Sequence, residues 1–375
     1  MSERHDVIVL GVGGTGSAAV AQLADRGVDV LGLERYDVPH DGGSVNGLLR
    51  PLRLTDIEDP ADVSLLRRAE TLWRDLEADH DRRLLYRTGS IDTGPRGRSL
   101  VEEAKLACEE HDLEYELLSG EGLTDRYPAY RLPNGYETVY QPEGGFLRPA
   151  ECVVAHVNRA HRLGATIRAR ERVVNWRPLD GGVRVETDHD AYEADRLVVT
   201  AGAWTPAFVD ALDGIVTSER QVLTWLQPET PGHFARDRFP IWRVQTPSDL
   251  FYGYPTDSAP GATFGRSTNR NEVRDPDAFE HEPTQADERP LREFAREYFP
   301  AGAGPTMRME SGLAITTPDD RLLVDTLPEH PQVAIGVGPS ESGFAYASVL
   351  GEILADLTLE GETDHDVERF SIDRA

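Results

Sequence analysis

A glycine-rich turn near the start of the sequence constrains the fold more than any other feature. The segment GVGGTG begins at Gly11, directly after the apolar run DVIVLG (6–11), and leads into TGSAAVAQLADRG (15–27), whose small and apolar residues have helical spacing. A second apolar run, VDVLGLE (28–34), follows. This order predicts a buried strand, a helix and a second buried strand, which together form a βαβ unit of a parallel sheet.

The glycines of this turn and the acidic residue after it predict a dinucleotide site. Gly11 allows the tight turn, Gly13 lets the backbone approach a pyrophosphate, and Gly16 lets the helix pack closely on the strand. The phosphates are expected at the positive amino-terminal end of the helix. Glu34 ends the second strand, where a carboxylate accepts hydrogen bonds from ribose hydroxyls and repels a 2′-phosphate. The motif therefore disfavours NADP and leaves NAD and FAD open.

Strand-like runs recur in the middle and near the end of the sequence. Residues 172–204 alternate apolar and polar positions and end in the apolar run RLVVTAG, while QVAIGVG (332–338) precedes a second helical pattern. Residues 60–79 have the period of an amphipathic helix. Residues 216–309 hold short strand-like runs separated by proline- and glycine-rich turns. Strands of the nucleotide domain thus occur in separate parts of the chain.

We expect a fold that combines α/β and α+β architecture in two domains. A discontinuous Rossmann-like domain is predicted to comprise residues 1–85, 145–215 and 310–375. Residues 86–144 and 216–309 are predicted to form a substrate domain with a mixed, largely antiparallel β-sheet.

The charge balance excludes some partners. The 375 residues include 66 Asp and Glu against 39 Lys and Arg, a formal net charge of −27, and Lys105 is the only lysine. Such a surface repels nucleic acid and anionic membranes, so we expect neither as a partner. Because the acidic residues are spread along the chain, the composition favours a cytoplasm with a high salt concentration. An ordinary acidic protein is the alternative.

Cysteine, histidine and hydropathy patterns narrow the class further. Cys108 and Cys152 are the only cysteines, which excludes a disulfide framework and a multi-cysteine metal site. The eleven histidines show no ligand spacing, so no metal site is predicted. We find no leader-like segment and no apolar run long enough to cross a bilayer, and we expect a soluble cytoplasmic protein.

Several segments, taken in order, resemble the family of monomeric sarcosine oxidase and N-methyltryptophan oxidase, within the D-amino-acid-oxidase-like flavoproteins. The resemblance covers nearly the whole sequence. Its marks are VIVLGVGGTGSAAVAQLADRG (7–27), VPHDGGSVNGLLRPLR (38–53), YQPEGGFLRPAECV (140–153), LVVTAGAW (197–204), LFYGYP (250–255) and PDDRLLVDTLPEHPQVAIGVGPSESGF (318–344).

This resemblance implies FAD as the cofactor and an oxidation of a carbon–nitrogen bond. A secondary or N-methylated amino acid would transfer a hydride from the carbon next to its nitrogen to the flavin, giving an imine that water hydrolyses. The electron acceptor that follows is unknown. The residues that match the cofactor-binding positions of the family are Gly11, Gly13, Gly16, Glu34, Arg35, Gly43, Ser44, Arg50, Val173, Ala201, Gly202, Trp204, Gly338, Ser342, Gly343 and Phe344.

The same resemblance implies four catalytic candidates. Arg50 matches an arginine over the flavin, and Arg53 matches one that binds the substrate carboxylate, which suits the fork of a guanidinium. Ordinary surface ion pairs are the alternative for both. Tyr252 matches an aromatic residue of the substrate cavity or is a core tyrosine. Glu341 is expected near the flavin ring, where it is a solvated loop residue, a group that recognises a cationic substrate or a general base.

The sequence departs from the family pattern where the chemistry takes place. Gly312 stands where the family links FAD covalently through a cysteine, so FAD is expected to be non-covalent. Thr263 matches the lysine that activates dioxygen, and Arg266 is a candidate to replace that cation, although the sequence leaves its direction open. A second lysine that binds the carboxylate and two active-site histidines are matched by Ala345, Asn46 and Ser267.

Loss of the cation predicts a change of electron acceptor. A positive charge stabilises the anionic state formed when oxygen takes up an electron, and a threonine does not. We therefore favour a dehydrogenase with another acceptor over an oxidase. A flavoprotein of this fold that acts on another amine, and a flavin-binding subunit without turnover of its own, are the other hypotheses.

Overall fold

The computed structural model describes residues 3–40, 42–43, 48–55, 62–267, 272–338 and 343–374. Four residues singled out above, Ser44, Asn46, Glu341 and Ser342, lie outside these ranges. Three β-sheets and seven α-helices are present in the described part.

The first sheet has five parallel strands at its centre, in the order β19-β12-β1-β2-β9, and antiparallel strands at its margin, where β11 pairs with β12, β10 with β11 and β18 with β19. The strands are β1 (Glu3–Leu10), β2 (Val30–Leu33), β9 (Thr166–Arg168), β10 (Val173–Leu179), β11 (Gly182–Thr187), β12 (Ala191–Val199), β18 (Leu323–Leu327) and β19 (His330–Val337).

Helices on one face of this sheet close the main hydrophobic core. They are α1 (Gly14–Asp25), α2 (Val63–His80), α5 (Pro149–Arg162) and α7 (Ala347–Leu359). α1 and α7 pack closely because both present small residues: a Cβ atom on Gly351 would lie 2.5 Å from Cβ of Ala18. Alternating small and apolar residues of the first helix thus hold the glycine-rich turn rigidly against the sheet.

The second sheet has eight strands in the order β17-β13-β16-β15-β14-β5-β7-β6, antiparallel except between β14 and β5. The strands are β5 (Ser90–Pro95), β6 (Glu116–Ser119), β7 (Tyr136–Gln141), β13 (Thr217–Leu226), β14 (Ile241–Gln245), β15 (Leu250–Tyr254), β16 (Ala262–Arg266) and β17 (Thr306–Thr316).

One face of the second sheet carries an aromatic core against helix α6 (Gln285–Tyr298), in which Phe251 and Phe294 stack with ring centroids 3.9 Å apart. A small third sheet, β3 (Arg50–Leu52), β8 (Gly145–Leu147) and β4 (Leu85–Arg87), meets the opposite face. Helices α3 (Ser99–Glu110) and α4 (Gly120–Arg126) complete the regular elements.

The expected α/β and α+β fold is therefore confirmed. The strands of the first sheet lie in residues 3–33, 166–199 and 323–337, and those of the second in 90–141 and 217–316. The division into two domains at the positions given above stays a prediction. Within the described ranges, every helix is too short or too polar to span a bilayer.

Candidate functional site

A cavity of about 690 Å³ opens at the carboxyl ends of β1, β2, β12 and β19. In open α/β sheets this edge is where ligands bind. The predicted cofactor residues that line it are Gly11, Gly13, Glu34, Arg35, Gly43, Val173, Ala201, Gly202, Trp204 and Gly338. Residues far apart in the sequence thus meet around one cavity.

The glycine-rich turn has the geometry that its sequence predicts. Gly11 has φ +91°, and a Cβ atom there would lie 2.6 Å from the carbonyl oxygen of Thr200. A Cβ atom on Gly16 would lie 1.8 Å from the carbonyl oxygen of Gly11, so α1 can approach β1 only with glycine here. A Cβ atom on Gly13 would meet nothing within 4 Å, because this residue faces the cavity. The turn therefore leaves its backbone accessible to a pyrophosphate.

Glu34 brings a buried carboxylate to the same edge. Its side chain accepts hydrogen bonds from the backbone N–H of Val12 at 2.9 Å and of Tyr36 at 3.0 Å, and Nε2 of His40 lies 3.6 Å away. The residue is only 5% exposed. These bonds hold the carboxylate between the turn and the end of β2, the position expected for a contact with ribose hydroxyls.

Residues 272–277, which lie between β16 and α6 in the sequence, line the other side of the cavity; we call this segment the strap. The Oδ1 atom of Asp277 accepts hydrogen bonds from Nη1 of Arg35 at 2.6 Å and from Nε1 of Trp204 at 2.7 Å. The guanidinium of Arg35 also lies 5.8 Å from the Trp204 ring centroid. The hydrogen bond from Arg35 holds the pKa of Asp277 below its usual range. Asp277 thus connects the strap to two predicted cofactor residues.

The carboxyl-terminal loop reaches the cavity at Gly338. A Cβ atom on Gly338 would lie 3.4 Å from Cα of Gly343, so the two glycines pack closely. Phe344 is buried against Gly14, and its ring stacks on Trp73 with centroids 5.8 Å apart. Gly16 and Phe344 therefore shape the site from behind the cavity wall.

Three catalytic candidates, Arg50, Arg53 and Tyr252, lie away from this cavity, around the third sheet, and the fourth, Glu341, is outside the described residues. Arg50 is part of β3, and Arg53, which follows that strand, is 2% exposed. Burial rules out an ordinary surface ion pair for Arg53. Tyr252 lies on β15, where Leu49 and Phe146 of the third sheet region join its hydrophobic cluster, and its hydroxyl donates to Oε1 of Gln221 at 3.3 Å.

Thr263 faces the same side of the second sheet as Tyr252. It pairs with Tyr254 across β15 and β16, and it is 2% exposed. Arg266, three residues along the strand, points to the opposite face, where Nη2 lies 2.5 Å from Oδ1 of Asp249. Arg266 is therefore not the substitute cation. The sole lysine of the sequence, Lys105, is on α3 beside Glu109, 3.6 Å away.

Gly312 lies on β17 opposite Gln221 of β13, the residue whose side chain accepts the hydrogen bond from the Tyr252 hydroxyl. Both cysteines are buried elsewhere: Cys108 is on α3 and Cys152 on α5. Burial raises the pKa of Cys108 to about 12. No group of three or more His, Cys, Asp or Glu side chains is arranged to hold a metal ion in the described ranges.

Sequence reasoning missed three charged residues. Asp92 and Arg243 form a buried ion pair on the Tyr252 side of the second sheet, and Asp277 belongs to the strap. Arg243 could have been found, since it interrupts the apolar strand run FPIWRV with a charge. Nothing local to Asp92 or Asp277 indicates their partners, which lie 151 and 242 residues away.

The cavity fits an adenine dinucleotide. Gly13 leaves room for a pyrophosphate, the amino terminus of α1 would favour its charge, and Glu34 lines the cavity where a ribose contact is expected. The fold and this site define a dinucleotide-binding oxidoreductase of Rossmann-like architecture, with a second, largely antiparallel sheet beside the nucleotide sheet.

Comparison with known proteins gives the family. Residues 6–357 match the DAO family, described as FAD dependent oxidoreductase, and the chain belongs to it. The chain is 34% identical to monomeric sarcosine oxidase of Bacillus sp. (strain B-0618) over 379 aligned residues, covering 100% of this chain and 97% of that protein. It is 28% identical to N-methyl-L-tryptophan oxidase of Salmonella dublin, covering 99% of each.

Solved structures with the same fold agree with this family. NikD, described as an unusual amino acid oxidase essential for nikkomycin biosynthesis, superposes with a TM-score of 0.88 at 27% identity, covering 99% of this chain and 98% of that one. L-proline dehydrogenase from P. horikoshii shares the fold, with a TM-score of 0.84 at 20% identity and coverage of 100% and 98%. The predicted family, the oxidoreductase class and FAD as the cofactor are confirmed.

Proposed function

We propose that this protein oxidises the carbon–nitrogen bond of a secondary or N-methylated amino acid and holds its FAD non-covalently. The names of the full-length relatives support this substrate class. The observation that carries the proposal is the burial of Arg53, 2% exposed, at the end of a strand whose neighbour Leu49 packs on the Tyr252 side of the second sheet. A guanidinium at such a buried position suits a substrate carboxylate, which its planar fork can bind through two parallel hydrogen bonds.

Two regions of the protein have separate roles, one in binding the cofactor and the other in binding the substrate. Gly11, Gly13 and Glu34 hold the ADP half of FAD at the cavity. FAD, when bound, accepts the two electrons that leave the substrate's carbon–nitrogen unit. Arg53 fixes the carboxylate, so that the carbon to be oxidised is presented in one orientation. Tyr252 forms part of the apolar wall that excludes water and favours a neutral amine.

Non-covalent attachment rests on the residue at position 312. Gly312 has no side chain to bond with the flavin, and both cysteines are buried in the packing of other helices. Acid precipitation of the purified protein is therefore expected to leave the yellow colour in the supernatant. Colour that stays with the precipitate contradicts this part of the proposal.

We also propose an electron acceptor other than dioxygen. Thr263 places no charge on the Tyr252 face, Arg266 points away from it, and Lys105 lies on α3. An artificial one-electron dye is expected to reoxidise the reduced protein faster than air does. Reoxidation by air at the rate measured with the dye, with formation of peroxide, would assign an oxidase instead.

The proposed setting is a cytoplasm of high salt concentration, without nucleic acid or membrane partners. The net charge of −27 supports it, because dense salt screens self-repulsion that is costly in dilute buffer.

The decisive experiment is anaerobic mixing of the purified protein with sarcosine, other N-methyl amino acids and D-amino acids. Loss of the visible flavin absorbance is expected with at least one N-methyl amino acid. Arg53→Ala is expected to raise the apparent Kd of that substrate at least about tenfold while leaving the flavin content unchanged. The control is Arg4→Ala, an exposed arginine of β1 paired with Asp195.

The outcomes separate the hypotheses. Bleaching only by amines without a carboxylate, with Arg53→Ala behaving as the parent protein, assigns another amine as substrate. No bleaching by any amine favours a flavin-binding subunit without turnover and overturns the proposal.

A further inference from the structure

A buried ion pair crosses the middle of the second sheet. Nε of Arg243 on β14 donates to Oδ1 of Asp92 on β5 at 2.7 Å, and the residues are 3% and 1% exposed. Arg243 pairs with Asp92 on one side and with Tyr252 on the other, so all three side chains lie on one face. That face is turned away from the aromatic core under α6 and toward the third sheet.

Both members of the pair hold Thr55. The hydroxyl of Thr55 donates to Oδ2 of Asp92 at 2.6 Å, and Nη2 of Arg243 donates to the carbonyl oxygen of Thr55 at 3.0 Å. Thr55 itself is fully buried. One side-chain bond and one backbone bond therefore fix this residue to the second sheet. Since Arg53 precedes it by two residues, at most about 7 Å of chain separates the two Cα atoms.

Stability alone does not account for such a pair. Burying two charges removes them from water, and replacing a buried pair by apolar side chains of similar volume is often neutral or stabilising. What apolar side chains cannot supply is the directional hold on the hydroxyl and carbonyl of Thr55. Burying the two charges of the pair costs free energy, and the bonds to Thr55 fix the position of the 53–55 segment.

We propose that Asp92 and Arg243 are positioning residues, which fix the 53–55 segment so that the Arg53 guanidinium meets the substrate carboxylate. The inference rests on the proposed function, in which Arg53 binds that carboxylate. It adds a dependence on two residues of the second sheet that need no contact with the substrate themselves. A displacement of about 1 Å at a positioning contact can lower the reaction rate by about a hundredfold.

The test uses the holoprotein with sodium acetate, a carboxylate that cannot be oxidised, titrated by the change in the flavin spectrum. In the double variant Asp92→Leu/Arg243→Met, the Kd for acetate is expected to rise at least about tenfold. The Kd for FAD is expected to match the parent protein, whereas the urea midpoint is expected to fall moderately, because the buried hydroxyl and carbonyl of Thr55 lose their partners. For a bleaching substrate, KM is expected to rise and kcat to fall, because the carbon to be oxidised is no longer held in one orientation. Asp92→Asn is expected to lie between the parent and the double variant.

The single variant Arg243→Met leaves the buried carboxylate of Asp92 without its cation and is expected to fold poorly. The double variant, which removes both charges, is therefore the one that tests the positioning role. Arg292→Met is the matched control, since Arg292 also bonds a carboxylate, Glu288, and a backbone carbonyl, that of Gly304. It lies on α6 against the other face of the sheet, and its Kd for acetate is expected to stay at the parent value.

The experiment distinguishes failure of the positioning role from failure of the proposed function. If Arg53→Ala raises the Kd for acetate and the folded double variant does not, the positioning role is wrong while the proposed function stands. If Arg53→Ala itself has no effect on acetate binding, the carboxylate role of Arg53 fails, and this inference fails with it.

Discussion

The proposed choice of electron acceptor depends on Thr263. It lies buried on the face of the second sheet that carries Tyr252 and Tyr254, and its hydroxyl carries no charge. A cation at this place would stabilise negative charge as it develops during reaction with oxygen, an effect that amounts to a few kcal/mol for one well-placed group. The threonine removes that effect without disturbing the strand.

Thr263→Lys is therefore expected to speed reoxidation of the reduced protein by dioxygen at least about tenfold. The measurement is stopped-flow mixing of anaerobically reduced protein with oxygenated buffer. Thr230→Lys, in an exposed loop, adds the same charge elsewhere and is expected to leave the rate unchanged. A folded Thr263→Lys protein with the parent rate shows that this face does not govern the oxygen reaction.

At the residue scale, local chemistry made part of the site predictable. Gly11, Gly13 and Glu34 follow from backbone conformation and the strand–turn–helix context alone. The direction of Arg266 follows once β16 is known, since an odd separation on a strand reverses the face. Asp277 could not be found, because an exposed aspartate gains its meaning only from Arg35 across the fold.

The strap is the element that connects the second sheet to the nucleotide cavity. It contributes Asp277 to a cluster with Arg35 and Trp204, and all three residues line the cavity. Under the proposed non-covalent attachment, contacts of this kind are expected to set how long the cofactor stays bound.

Asp277→Asn is expected to raise the Kd for FAD about two- to fivefold, the effect of one partly exposed ion pair. Fluorescence titration of the apoprotein with FAD measures it. Because Arg35 lowers the pKa of Asp277, the carboxylate stays charged at pH values below its usual titration range, and the contact is lost only as the pH falls through the lowered value. Lowering the pH is therefore expected to weaken FAD binding less in Asp277→Asn than in the parent protein. Asp237→Asn, at an exposed aspartate, is the control, and equal Kd values in all three proteins exclude a role for the strap.

Helices α1, α2 and α5 meet at a buried histidine. His156 of α5 is 6% exposed, its Nδ1 lies 3.4 Å from Oγ of Ser17, and its ring centroid is 5.2 Å from that of Trp73. Burial, with a smaller contribution from Arg159, lowers the pKa of His156 to about 3. The packed helices therefore require the neutral ring.

His156→Met is expected to reduce the acid sensitivity of the fold. Unfolding lets His156 take up a proton below its ordinary pKa of about 6.5, so the parent free energy of unfolding falls with decreasing pH, by up to about 1.4 kcal/mol per unit. Urea unfolding between pH 7 and 5.5 gives the slopes. The variant slope is expected to be smaller, whereas His189→Gln, at an exposed site, keeps the parent slope. Equal slopes for the parent and His156→Met contradict a neutral buried His156.

Element by element, periodicity located the long helices and the paired strands. The helix expected over 60–79 is α2 (Val63–His80), and the alternating region 172–204 contains β10, β11 and β12. The third sheet could not be predicted, since strands of three residues are too short for a period to show. That sheet nevertheless determines where Arg50 and Arg53 lie.

The whole molecule combines a strongly negative charge with a site for an anionic cofactor. The net charge of −27 repels any anion at long range, and the amino terminus of α1 attracts the phosphates only at short range. Salt shortens the range of the repulsion, from about 10 Å at 0.1 M to about 3 Å at 1 M. We therefore expect salt to favour both the folded state and cofactor binding in this protein.

The melting temperature is expected to rise as KCl increases from about 0.1 M to about 2 M, because screened self-repulsion outweighs weakened surface ion pairs at this net charge. Thermal unfolding followed by circular dichroism measures it. Sucrose at matched osmolality excludes itself from the surface without screening charge, and it is expected to produce a smaller rise. A melting temperature that does not respond to KCl argues against the high-salt setting.

The order of strands in the first sheet has a consequence for biosynthesis. β12 pairs with β1 on one side and with β19 on the other, although about 190 and 140 residues separate them in the chain. The wall of the cavity formed by β19 and Gly338 is thus made last on the ribosome, roughly 20–70 s after initiation at usual elongation rates. Until then the nascent polypeptide lacks one wall of this cavity, so we expect FAD to be captured only after β19 has been made.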